Sequence, residues 1–320
     1  MRALLLVLVS ACAALAAGLD PLTLRAPNAP TPMAEPVACV GTELVHPSVF
    51  HRAGGWNGFP YWMAVTPYAH SDAQFENPCL YCSADGRSWA APKGVRNPLV
   101  PKPDLARRYN SDCHLAMGPD DTLQLFFRTA GADQNDQLWL MSSRDGSRWS
   151  RPKRILDVDL ADERQLSPGV CHDGRLWNLY YVDSSAYPYV IRRRTATRPE
   201  GPWSEPLPVT GISAPEGRML WHLDAFRYQG QTVLLVDSTA IYKTMEGGQL
   251  FLATAADGSH FTRGRLPVLD GSPGWDRSLY RSCALPMVRD GREFLAIWYS
   301  AWGPELGWRL GYTEAAGPSR

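Results

Sequence analysis

Apolar and polar residues along this chain fall into short runs of period two rather than helical stripes. Five such runs open a unit each, at residues 45–50, 112–117, 168–172, 222–227 and 282–288. After a turn, each is followed by an apolar or alternating run, at 61–65, 123–127, 176–182, 233–237 and 293–299. That succession is what consecutive antiparallel strands with at least one buried face produce. A third run then leads into a turn. Helical periodicity with caps over ten or more residues is absent, which argues against α/β layering. The pattern predicts an all-β chain of five units.

A repeated turn punctuates the units. Ser83-Ala84-Asp85-Gly86-Arg87-Ser88-Trp89 returns almost unchanged as Ser143-Arg144-Asp145-Gly146-Ser147-Arg148-Trp149. Degenerate copies end at Trp203 and Phe261, so the aromatics recur every 54–60 residues. Asp-Gly makes a tight turn with glycine free to take positive φ, and the aromatic that follows can pack beneath it. This period is too long for a helix-pair solenoid and suits a four-stranded propeller blade. The fold expected is therefore a five-bladed β-propeller of four-stranded antiparallel blades. Trp89, Trp149, Trp203 and Phe261 are expected to be buried under the turns.

The fifth unit is cut short, since its third strand at 308–313 is followed only by residues up to Arg320. Something upstream must complete it. The apolar run Val37-Ala38-Cys39-Val40 is the natural donor, and closure by a strand at 37–43 would remove the exposed edges. Residues 1–17 read as an export signal, with Arg2, an apolar run and a small-residue cut after Ala16. A weak lipobox ending at Cys12 offers the competing reading of a lipid-tethered protein. Residues 18–36 carry five prolines and read as an extended, dispensable linker, leaving 37–320 as the propeller. The expected location is secreted, periplasmic or on the cell envelope, and the expected state a monomer.

Composition narrows the partners. Lys+Arg and Asp+Glu both number 32, so nothing recommends a nucleic acid. Beyond Cys12 there are six cysteines, a number that permits disulfides without demanding them. Cys79 and Cys82 are spaced C-x-x-C, but on a strand their thiols point to opposite faces and no second ligand pair follows, so they read as packing residues. No metal site or cofactor is expected, although a structural calcium ion in the channel is compatible with the reading.

In a propeller the inner strands line the central channel, and function is sought where they begin. Those starts carry His46, then Asp112 and His114, then Ser167, then Trp221, His222 and Asp224, then Tyr280 and Arg281. They differ from blade to blade. A lectin with one sugar per blade should repeat its ligand residues, so the asymmetry favours one central site and hence an enzyme.

Ser111-Asp112-Cys113-His114-Leu115, the blade-end turns before Pro92, Pro152 and Pro206, and Trp298-Tyr299-Ser300-Ala301 with Trp308-Arg309-Leu310-Gly311-Tyr312-Thr313 resemble the five-bladed propeller glycoside hydrolases. Family 43 and its relatives in families 32, 62 and 117 are the nearest comparison, over about residues 40–315. The resemblance implies an inner-strand carboxylate as general base and an acid two blades further on. Asp112 matches the first, with Cys113 where the family usually has proline, and Asp224 the second. This chain departs from the family in placing the base in its second blade, with His46 at the usual base position.

Glycosidic cleavage needs one carboxyl group to protonate the leaving group and another to meet the oxocarbenium-like centre. Asp112 and Asp224 are the pair expected, with inversion, and Glu76 on the loop before the third strand of blade one is the third candidate. His46, His114 and His222 are candidates for sugar hydroxyls, Arg281 for a hydroxyl pair or carboxylate, and Trp62 and Trp221 for a sugar face. Tyr280 is the residue a sialidase reading would use, but such enzymes need several converging arginines. The remaining alternative is a non-catalytic glycan-binding propeller. Gly-x-Ser-x-Gly and His-Glu-x-x-His motifs are absent.

Overall fold

A computed structural model describes residues 18–34, 36, 43–103, 107–131, 135–243 and 246–316. The predicted export signal, Cys12, Cys39 and nearly all of the predicted closing strand lie outside them. Five antiparallel sheets stand as blades around a channel. Blade one contains β1 (Leu44–Trp56), β2 (Phe59–Pro67) and β3 (Cys79–Ser83). Blade two contains β4 (Tyr109–Met117), β5 (Leu123–Ala130), β6 (Asp136–Ser143) and β7 (Lys153–Val158). Blade three contains β8 (Gln165–His172), β9 (Trp177–Asp183), β10 (Val190–Ala196) and β11 (Leu207–Pro208). Blade four contains β12 (Arg218–Tyr228), β13 (Gln231–Ala240) and β14 (Gln249–Ala255), with β15 (Thr262–Arg263) and β16 (Leu269–Asp270) both on β14. Blade five contains β17 (Ser278–Arg289), β18 (Arg292–Gly303) and β19 (Gly307–Ala315). In blade one the fourth strand is reduced to Ala90, which exchanges two backbone hydrogen bonds with Cys82. The all-β, five-bladed plan read from the pattern is the plan observed.

The apolar core is divided among the blade interfaces. Met63 and Trp298 pack between blades one and five, Leu80 and Leu125 between one and two, and Phe126 and Leu179 between two and three. Tyr180 and Leu234 fill the next interface, and Leu235 and Ile297 the last. The repeated turns lock neighbouring blades. Gly86 accepts a 2.7 Å hydrogen bond from Trp298 Nε1 of blade five, and Gly258 one of 2.8 Å from Tyr180 of blade three. Gly146, at φ +71°, lies against the Trp62 ring so closely that a Cβ would come within 2.3 Å of it. Glycine is therefore demanded twice there, by conformation and by contact. Trp89 and Phe261 are buried as expected, whereas Trp149 and Trp203 are only half-buried at the rim. Cys79 and Cys82 face different cores, one in each interface of blade one.

The proline-rich stretch is not a free tether. Leu24 is 1% exposed among the residues between blades four and five. Arg25 bridges Ala316, the Pro27 carbonyl accepts from Thr313 Oγ1 at 2.6 Å, and Met33 donates to the Leu310 carbonyl at 2.8 Å. Residues 25–33 thus run antiparallel to β19 and cover its edge. An N-terminal segment, residues 25–33, serves blade five, while nearly all of the run expected to close that blade lies outside the described residues. Prolines suit this place because they lack N–H groups and an outermost strand needs few.

The turn aspartates predict an acid limb of stability. Asp85 accepts from the backbone N–H groups of Ser88 and Arg87 at 2.7 and 2.8 Å, the first being the main reason its carboxyl is held down to about 2. Asp145 and Asp257 make the same pair of bonds and are lowered likewise, chiefly by the N–H groups of Arg148 and His260. A folded pKa below the unfolded one gives stability that is complete above the unfolded value and lost as pH falls through the folded one. Urea unfolding should therefore show stability falling between about pH 4 and pH 2. The triple variant with asparagine at 85, 145 and 257 should show a shallower limb, and an unaltered one would remove these groups as its cause.

Candidate active site

Every inner strand carries the same defect at the same height. Two residues stand unpaired against one on the second strand: His46-Pro47, Asp112-Cys113, Ser167-Pro168, Trp221-His222 and Tyr280-Arg281. A bulge of this kind bends the strand and re-aims a side chain. Here five bulges turn polar residues into the channel. In the first three blades the leading residue is left-handed, with φ of 60° at His46, 54° at Asp112 and 60° at Ser167. Such non-glycine conformations cost free energy and persist where the surroundings impose them, commonly at functional sites.

Asp112 is the centre of the cluster. It is 0% exposed, and its Oδ2 accepts from Arg128 Nε and Nη2, both at 2.9 Å. Its Oδ1 lies 3.5 Å from each of His46 Nε2, His222 Nδ1 and Arg281 Nη1. Burial works to raise its pKa, but the guanidiniums of Arg128 and Arg281 beside it outweigh burial and hold the carboxyl well below the usual range. His46 is fixed from behind. Thr66 Oγ1 sits 2.9 Å from its Nδ1 and points its own proton at the Val45 carbonyl. Glu76 Oε2 lies 3.2 Å from the same nitrogen. Both neighbours accept, so Nδ1 carries a proton, and Nε2 is the nitrogen turned toward Asp112 Oδ1. Burial lowers the pKa of His222 well below its ordinary value, which keeps that ring neutral.

The result is a cluster of buried polar atoms facing one another. Among the described residues, Asp112 Oδ1, His46 Nε2, both ring nitrogens of His222 and Arg281 Nη1 are buried without a hydrogen-bond partner. One ligating atom from each of His46, Asp112 and His222 lies within 4.8 Å of the others. Such convergence of unpartnered polar atoms is costly, and Arg281 Nη1, 3.5 Å from Asp112 Oδ1, does not hydrogen-bond it, so a cation held between the imidazoles and the carboxylate would complete the set. Two imidazoles and a carboxylate suit zinc or another first-row divalent metal better than calcium, which prefers all-oxygen shells. The residues fit a metal that the sequence reading did not expect.

Above the cluster a cavity of about 480 Å³ opens on the face where the inner strands begin. Glu76, Tyr109, Arg128, Trp221 and Tyr280 help to line it. Tyr280 packs edge-on to His222 at 4.2 Å between centroids and against His46 at 5.3 Å. Burial pushes its hydroxyl well above the ordinary range, so it stays a donor and is poorly suited to act as a nucleophile.

Asp224 does not share this cavity. It lies two residues past the bulge of its strand, facing a smaller cavity of about 170 Å³ at the other end of the channel. Its Oδ2 accepts from the Ala284 backbone at 3.2 Å, tying blade four to blade five. Its Oδ1 lies 3.1 Å from His114 Nδ1, and His114 Nε2 donates to the Val170 carbonyl at 2.7 Å. Together they form a floor across the channel. The pair expected to flank a glycosidic bond is therefore separated. Trp62 is also elsewhere, 1% exposed in a blade interface with Nε1 bonded to the Trp56 carbonyl. His46, Asp112, Glu76, Trp221, His222, Tyr280 and Arg281 do converge. Sequence reasoning missed Arg128, Tyr109 and Asp136, which sit on β5, on β4 and at the start of β6; a charged residue ending an otherwise apolar second strand was the available signal.

No family model matches the chain. It is 26% identical over 312 residues to an A type blood N-acetyl-alpha-D-galactosamine deacetylase of Flavonifractor plautii, a match covering 81% of this chain and 40% of that protein. The chain thus spans well under half of that relative. The crystal structure of an N-acetylgalactosamine deacetylase from F. plautii, in complex with blood group B trisaccharide, superposes with a TM-score of 0.77 at 21% identity, covering 92% of this chain and 95% of that one. An alpha-L-arabinofuranosidase from Podospora anserina reaches 0.65 at 14% identity over 93% and 98%. A Bombyx mori GH32 beta-fructofuranosidase reaches 0.59 at 16% over 92% and 62%. The fold is that of the propeller glycoside hydrolases, and these relatives are carbohydrate-processing enzymes.

Proposed function

We propose that this protein is a carbohydrate-active hydrolase that removes the N-acetyl group of an amino sugar, N-acetylgalactosamine being the first to try, with a divalent metal at His46, Asp112 and His222. The observation that carries this reading is the convergence, beneath the cavity, of buried imidazole nitrogens and a carboxylate oxygen without hydrogen-bond partners, the donor set of a divalent metal. A metal bound there supplies Lewis acidity and a water that ionises near neutral pH. Arg128 occupies Asp112 Oδ2, so Oδ1, which faces His46, His222 and Arg281 at 3.5 Å, is the oxygen that would hold the metal. Thr66 and Glu76 set the tautomer of His46, as outer partners of ligating histidines commonly do. The protonated hydroxyl of Tyr280 is available to donate to a carbonyl oxygen held in the cavity. Export, expected from residues 1–17, belongs to the same reading, since glycans of this kind lie outside cells.

The test is to follow products. Purified protein incubated with an N-acetylgalactosamine glycoside should release acetate and leave the glycosidic bond intact. Dialysis against a chelator should abolish the release, and zinc or manganese should restore it. Release of free sugar in place of acetate, unaffected by chelation, would instead favour O-glycosidic cleavage by Glu76 and Asp112. Binding without any product would leave the lectin reading.

A further inference from the structure

A line of aromatic rings leaves the cavity over blades three and four. Trp221 lines the cavity, and its ring stacks on Tyr189 at 6.3 Å between centroids with 27° between planes. Tyr189 meets Tyr187 at 6.3 Å, and Tyr187 meets Tyr242 at 6.2 Å. Exposure rises outward: Trp221 and Tyr189 are half-buried, Tyr187 is 50% exposed and Tyr242 68%. The inner two rings pack against the core between blades three and four. The outer two come from different loops, one joining β9 to β10 and the other β13 to β14. Both loops rise on the face where the cavity opens.

The outer rings contribute little to folding and leave apolar surface in water, which is unfavourable. Tyr242 also holds a left-handed backbone with φ of 57°, uncommon for a bulky residue. We infer that Trp221, Tyr189, Tyr187 and Tyr242 form a stacking path for the remaining sugars of an oligosaccharide whose terminal residue enters the cavity. The inference rests on the reading of that cavity as a sugar site and adds that the substrate is an oligosaccharide, not a free monosaccharide. A pyranose presents an apolar C–H face to an aromatic ring, and tyrosine adds a hydroxyl for the sugar's own. The path is one ring wide, which fits a glycan chain. A stable protein partner would need a far broader patch, on the order of 1,000 Å² of buried surface. Continuity with the cavity through Trp221 points the same way.

The experiment is calorimetric titration with two probes, methyl N-acetyl-α-D-galactosaminide and an A-type blood group tetrasaccharide, on the wild type and on Tyr187→Ala, Tyr242→Ala and the double variant. The wild type should prefer the tetrasaccharide. Each single change should lower the ratio of tetrasaccharide to monosaccharide affinity by about 2- to 10-fold, the worth of one aromatic contact, and the double variant by more. An unchanged ratio overturns the inference, and so does a failure of the wild type to distinguish the two sugars or to bind either. Acetate release is measured alongside. If none appears while the ratio still falls, the deacetylase reading fails and the stacking path stands; if acetate appears and the ratio holds, the reverse is true.

Discussion

Alanine at His222 should lower turnover of an N-acetylated sugar by more than about 100-fold. Outer-sphere partners of metal ligands alone typically cost about 10- to 100-fold, and His222 stands in the inner set. The loss should appear as missing metal as well as missing rate, so the variant's metal content, measured by mass spectrometry after dialysis, should fall with its activity. Asp224→Asn supplies the contrast. Its carboxylate faces the far end of the channel and ties β12 to β17, so this change should lower stability and leave metal content and kcat close to wild type. A His222→Ala enzyme with near-normal turnover, or an Asp224→Asn enzyme as crippled as His222→Ala, would contradict the placement of the chemistry at the bulges.

Much of this was legible in the sequence because propellers repeat their scaffolding. The Asp-Gly turns recur since each must place an aspartate under two backbone N–H groups and a glycine against a neighbouring aromatic. Strand count and blade order followed from the same period. The residues at the strand starts were legible too, because a channel can be lined only from its inner strands. What could not be read was depth along the channel. Asp224 and Asp112 both stand near the start of an inner strand, but the bulge before His114 and Asp224 drops those two residues to a lower layer. A two-against-one bulge leaves no mark in hydrophobic periodicity beyond a local slip, and here all five slips coincide. Tautomers were equally invisible, since the proton on His46 is fixed by Thr66 and Glu76 from other strands and loops. Residues 25–33 misled for a different reason: proline-rich chain reads as linker, yet a proline-rich strand is also a good cap for an edge.

The largest stability effect should come from Arg128. Its guanidinium binds Asp112 through two nitrogens and reaches Asp136 Oδ2 at 3.4 Å, and all three side chains are buried. Replacing it with methionine keeps much of the volume and removes the charge, leaving two carboxylates facing a low-dielectric interior. Breaking a buried pair from one side in this way costs about 3–5 kcal/mol, measurable by urea unfolding at neutral pH. The pH dependence gives a second check. In the wild type the Asp112 pKa is depressed, so its contribution is complete above the ordinary carboxylate range and is lost only as pH falls through the lower folded value. In Arg128→Met the largest remaining influence is burial, which raises that pKa, so the carboxyl can take up a proton on mild acidification and relieve its own penalty. The gap between wild type and variant should therefore narrow as pH falls. A loss near 1 kcal/mol that does not vary with pH would be the behaviour of an exposed pair, and would mean that water reaches Asp112. Arg128→Lys separates charge from geometry: a lysine keeps the cation but cannot offer the two-nitrogen fork, so its stability should fall between the two.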